Sequence, residues 1–92
     1  MGETRAKVLI KGRVQGVGFR FSTVRQAERM GVSGWVRNTM SGHVEAEFEG
    51  EERAVKRMVD WCRSGPGMAR VTDIDIGYMS PTGEESGFHV RY

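Results

Sequence analysis

The sequence is poor in the groups that most enzymes use for covalent or metal-assisted chemistry. It has one cysteine, Cys62, so no disulfide can close within the chain and nothing points to an oxidising compartment. Its two histidines, His43 and His89, stand isolated, with no HxxH, CxxC or carboxylate cluster around them, so the usual metal-ligand patterns are missing. No apolar run approaches the ~20 residues of a membrane-spanning helix, and no signal peptide is visible. Met1-Gly2 opens like a myristoylation site, but Ala6 stands where Ser or Thr is needed. A cytoplasmic protein with no membrane partner is the expectation. Its 92 residues allow one small domain, 1–92, with a modest core.

Charge is nearly balanced overall, at +2, but unevenly spread. Residues 1–40 hold eight Lys/Arg against two Glu, and residues 41–92 hold six basic against ten acidic side chains. The front of the chain therefore favours anions. It also holds Gly12-Arg13-Val14-Gln15-Gly16-Val17-Gly18-Phe19-Arg20, with three glycines and two arginines between an apolar run and the start of a helical pattern. Glycine lets successive N–H groups turn inward, and such a nest before a helix N-terminus suits an oxyanion. Arg20 would add a rigid fork of donors matched to phosphate. A plain glycine-rich turn with an exposed arginine fits the local composition equally well.

Residues 6–13 alternate, with Ala6, Val8 and Ile10 on one face, and predict a first strand. A helix over 22–30 follows, with Ser22 as N-cap, Val24, Ala27 and Met30 as its stripe, and Gly31 just past its end. Phe19 and Phe21 read as core anchors on either side of Arg20. Strands are expected at 35–39 and 43–49, joined as a hairpin at Ser41-Gly42, with Glu45, Glu47 and Glu49 opposite Val44, Ala46 and Phe48. Val55, Met58, Val59 and Cys62 line a second helix that stops at Ser64-Gly65-Pro66, which makes Cys62 a packing residue. Val71, Ile74, Ile76 and Tyr78 mark a fourth strand with an irregular start, and Phe88, Val90 and Tyr92 a short last one. The order βαββαβ plus a terminal strand predicts an α+β, ferredoxin-like sandwich: an antiparallel sheet with two helices on one face. In it strands one and two run parallel, so the loop ending in Arg20 and the strand ending at Asn38 meet at one edge.

Asparagine is unusual in a strand. Asn38 could serve the hairpin backbone or, beside an anion pocket, accept a hydrogen bond from a water and donate another to a substrate. No conventional nucleophile–base pair accompanies it. A Walker A loop would need Gly-Lys-Ser/Thr where the chain has Gly-Phe-Arg, and a dinucleotide fingerprint would need glycine at Phe21. Amides, one arginine and one asparagine still suffice for a bond that breaks without an acid. Cleaving a carboxylic–phosphoric anhydride expels a carboxylate, whose conjugate acid has a pKa of ~4, so it departs unprotonated. The site then has only to hold the phosphoryl oxygens and aim a water in line. A monoester, which expels an alkoxide, fits this set poorly.

These residues closely resemble the acylphosphatase family. The likeness rests on Gly12–Arg20, on Gly34-Trp35-Val36-Arg37-Asn38 with Gly42-His43-Val44-Glu45, and continues through Gly65-Pro66 and Ala69-Arg70-Val71 to Gly87-Phe88-His89-Val90-Arg91-Tyr92. The resemblance implies hydrolysis of small acyl phosphates to a carboxylate and inorganic phosphate on a ferredoxin-like fold. It implies no metal, no cofactor and no covalent intermediate. It makes Arg20 the catalytic arginine, Asn38 the residue that orients the water, and the amides of Gln15, Gly16, Val17, Gly18 and Phe19, with Arg20, the phosphate holders. Ser41 departs from the family, in which many members carry Asp; serine also serves a turn. A monomer is expected, with inorganic phosphate as product or inhibitor.

Two other readings stand beside this one. A ferredoxin-like RNA-binding module is disfavoured because Gly16-Val17-Gly18-Phe19 lies in a loop rather than on a central strand. The three glutamates of strand three would also repel phosphates, so no nucleic-acid partner is expected. A non-catalytic anion-binding domain is the other, since function can be lost while a fold is kept.

Overall fold

A computed structural model of the protein describes residues 2–92. The elements run β1 (Glu3–Arg13), α1 (Phe19–Met30), β2 (Ser33–Asn38), β3 (Val44–Glu51), α2 (Glu52–Cys62), β4 (Arg70–Met79) and β5 (Phe88–Val90). The sheet order is β4-β1-β3-β2-β5. Strands β1 to β4 pair antiparallel with their neighbours, so β1 and β2 run parallel on either side of β3 as expected. The terminal β5 joins β2 in parallel, with Gly34 opposite Phe88 and Val36 opposite Val90, so the complete sheet is mixed.

Alternation in the strands puts the small and branched side chains on one face, where both helices cover them. Ala6, Val8 and Ile10 of β1 meet Val44, Ala46 and Phe48 of β3, all fully buried. Helix α2 lays Val55, Met58, Val59 and Cys62 on this layer. Burial also pushes the Cys62 thiol pKa up, as a packing residue's would be. The irregular start of β4 is a β-bulge. Lys11 pairs with Asp73 and Gly12 with Val71, leaving Thr72 without an opposite number. Gly12 sits there at φ 126°, and a Cβ on it would lie 2.1 Å from the Arg70 carbonyl oxygen.

Several boundaries differ from the sequence reading. Helix α1 begins at Phe19 rather than at 22, because Gly18 in the left-handed region (φ 77°) turns the chain straight into the helix. Ser22 is therefore inside the helix and caps nothing; its N–H makes the first helical bond, to the Gly18 carbonyl at 3.0 Å. Phe19 is a core anchor, its ring edge-on to Trp61 at 5.6 Å. Phe21 is not: two positions on, a helix has turned roughly 200°, and the ring is 66% exposed. The last strand stops at Val90, short of Tyr92, which is fully exposed.

The open face of the sheet is charged but neutralised. Glu45 contacts Lys7 and Arg37, while Glu47, Glu49 and Glu85 all bind the guanidinium of Arg5, which is 3% exposed. Glu49 also accepts the backbone N–H groups of Thr82 and Gly83 at 2.8 and 2.9 Å, tying the segment before β5 onto the sheet. Burial alone would raise the Glu49 pKa. The Thr82 N–H, Arg5 and the Gly83 N–H outweigh it and hold the carboxyl at about 2. Glu45, Glu47 and Glu49 of β3 are thus counterbalanced rather than a bare negative face.

Candidate active site

The loop from β1 to α1 leaves the sheet at Arg13 and returns at Phe19. Gly16 and Gly18 both take φ near +76°, a conformation that brings successive N–H groups to one side. By helix geometry the N–H groups of Phe19, Arg20 and Phe21 precede the first intrahelical bond and have no carbonyl in the helix. No side chain caps this end and its first turn holds no acidic residue, so the protein leaves the positive end of the α1 dipole uncompensated.

A cleft of about 370 Å³ opens at this point. Gly16, Gly18, Arg20 and Asn38 line it together with Val14, Phe19, Phe21, Val24, Val90 and Tyr92. The parallel course of β1 and β2 thus brings the glycine loop and the end of β2 to one place. No acidic side chain and neither histidine is among the lining residues. Among the described residues, the Arg20 guanidinium makes no ion pair or hydrogen bond with the protein; it lies 5.6 Å from the ring centre of Tyr92. The Asn38 amide likewise has no hydrogen bond within the protein.

Other side chains do the hairpin work that Asn38 could have done. Gln15 Nε2 donates to the carbonyls of Thr39 and His43, both at 2.8 Å. The Thr39 hydroxyl accepts the His43 N–H at 3.0 Å and also meets the Ser41 hydroxyl at 3.0 Å. Gln15 therefore pins the glycine loop to the β2–β3 hairpin through its side chain, which leaves only its amide for an anion. Val17 packs partly against the core, so it too can offer only backbone. Phe19 is held from below: a Cβ on Gly65 would lie 2.4 Å from its ring.

The acylphosphatase family model matches residues 6–90, which hold every residue lining the cleft but Tyr92. The chain belongs to the acylphosphatase family. An acylphosphatase of Roseiflexus sp. (strain RS-1) is 57% identical over 90 residues, covering 98% of this chain and 97% of the relative. One from Geobacter sulfurreducens is 53% identical over 88 residues, covering 96% and 97%. Among solved structures, the acylphosphatase of Bacillus subtilis superposes with a TM-score of 0.92 at 32% identity, covering 97% of this chain and 99% of that one. The acylphosphatase of Coxiella burnetii does so with 0.90 at 35% identity, covering 97% and 93%.

The cleft is also lined by Phe21, Val24, Val90 and Tyr92, to which sequence reasoning gave no part in the site. Period counting assigns such side chains to a core stripe or a strand. Only the early start of α1 and the parallel seat of β5 turn them toward the loop.

Proposed function

We propose that this acylphosphatase hydrolyses acyl phosphates in one step at the cleft between the glycine loop and Asn38. The observation that carries the reading is that the side chains of Arg20 and Asn38, both without hydrogen-bonding partners among the described residues, line one cleft at the uncapped N-terminus of α1. The amides of residues 15–19 and the Arg20 fork hold the phosphoryl oxygens and stabilise charge on them. The Asn38 amide accepts a hydrogen bond from the water and aims it in line. The water oxygen bonds to phosphorus as the phosphorus–acyl oxygen bond breaks. The carboxylate leaves with the electron pair, and the water's proton passes to a phosphoryl oxygen. Neither a metal nor a covalent intermediate takes part.

The same reading has residues 1–92 act as one domain, a cytoplasmic monomer on small acyl phosphates, with inorganic phosphate as product or inhibitor and no nucleic-acid partner. No helix in the described residues is long and apolar enough to cross a membrane. On the open sheet face the only tryptophan, Trp35, is buried beneath Arg91 and Arg37, which argues against its use as a base-stacking platform.

The leaving group supplies the test. Purified protein treated with EDTA should hydrolyse benzoyl phosphate and barely touch p-nitrophenyl phosphate. Comparable rates on both would contradict the mechanism, as would loss of benzoyl phosphate turnover on chelation. Asn38→Ala should lower kcat by roughly 10²–10³, the scale for one preorganised polar contact, with the Kd for inorganic phosphate almost unchanged. If phosphate binding collapses instead, Asn38 belongs to the binding loop and not to the water.

A further inference from the structure

The cleft has two chemically different ends. Gly16, Gly18, Arg20 and Asn38 make the polar one. The other is hydrocarbon and aromatic: Phe21 and Val24 from α1, with Val90 and Tyr92 from the last residues. Phe21 is the informative member. A phenyl ring left 66% exposed next to the arginine has no part in the core, and large exposed apolar groups beside polar ones mark ligand grooves. Its neighbour one helical turn on, Val24, extends the same stripe, and Arg25 lies 5.7 Å from the ring centre, flanking it. A phosphate seated at the start of α1 would direct the rest of the molecule along this stripe.

From this we infer that the second end of the cleft is an acyl subsite and that the enzyme selects acyl phosphates whose acyl group is apolar and about the size of a ring. The inference rests on the hydrolytic reading above. Arg20, the cation that lines the cleft, is engaged by the phosphate, and Arg25 flanks Phe21 from outside the lining, so the acyl wall itself offers hydrocarbon rather than a charged partner. A methyl group would leave most of the apolar wall uncovered. An aryl group covers it and stacks near Phe21.

Steady-state kinetics on benzoyl and acetyl phosphate test this, because the two leaving carboxylates are of similar basicity and the difference reads the cleft. The wild type should prefer benzoyl phosphate in kcat/KM by at least about tenfold, the lower end of what an apolar pocket contact supplies. In Phe21→Ala this ratio should fall by about tenfold, through a higher KM for benzoyl phosphate, and Phe21→Leu should restore part of it. Equal kcat/KM for both substrates in the wild type, or an unchanged ratio in Phe21→Ala, would overturn the subsite while leaving the hydrolysis intact. An equal fall in kcat on both substrates would also overturn it, by making Phe21 part of the phosphate loop's geometry. A wild type that turns over neither substrate would refute the hydrolytic reading itself.

Discussion

Arg20→Ala should lower kcat for benzoyl phosphate by at least about 10³-fold, the lower end of what an arginine on a transferring phosphoryl group contributes. The expectation follows from what the guanidinium does not touch. It makes no ion pair among the described residues and lies 5.6 Å from the ring centre of Tyr92, so its donors are uncommitted at the start of α1. No other cationic side chain lines the cleft, so no second charge can compensate. Arg20→Lys restores the charge but not the planar fork, and should recover only a small part of the rate. Thermal stability should barely change in either variant, since an exposed cation–π contact is worth about 0.5–1 kcal/mol. Parallel measurement of kcat and Tm checks both halves. Turnover within tenfold of wild type in Arg20→Ala would remove Arg20 from the reaction.

Arg5→Met should produce the largest loss of stability, about 3–5 kcal/mol, because it strands three carboxylates around one buried position. In a chain of this size that lowers Tm by on the order of 12 °C or more. Adding Glu49→Gln to Arg5→Met should return part of the loss, since a neutral amide no longer needs the guanidinium. The same cluster sets an acid limit. Glu49 titrates at about 2 in the folded protein and near 4.3 in the unfolded chain, so on acidification the unfolded state takes the proton first. Its stabilising contribution is complete above about pH 5 and is lost as the pH falls toward 2. Urea midpoints measured across this range should fall steeply for wild type and less steeply for Glu49→Gln. Superimposable profiles would show that Glu49 contributes nothing to the acid limit.

The frame of the molecule was legible because burial follows period. Ala6, Val8 and Ile10, Val44, Ala46 and Phe48, and the stripe on α2 all lie where alternation and helical spacing put them. The meeting of Arg20 and Asn38 was legible one level up, from the order of elements, since strands one and two must run parallel in that topology. Phe21 was misplaced because a capping signal at Ser22 competes with a left-handed glycine at Gly18, and dihedral angles are not written in composition. The Arg5 cluster escaped because alternation shows which face a charge is on but not which charges meet. Its trace was there: Glu45, Glu47 and Glu49 on one face of β3 call for cations on the strands beside it. The side-chain role of Gln15 left no such trace, since its partners are backbone carbonyls.

The strand order has a consequence for how the glycine loop comes into being. Strand β1, from which the loop springs, has no sequence-adjacent partner: Ile10 pairs with Val44 and Ile74, and Arg5 with Glu49 and Met79. Such pairings must close long stretches of chain before they gain anything, which slows folding. A growing polypeptide therefore carries residues 15–20 near its start, while the strand that bears them pairs only with segments made later, as far on as β4. Local sequence encodes the nest, while nearly the whole chain is needed to build it.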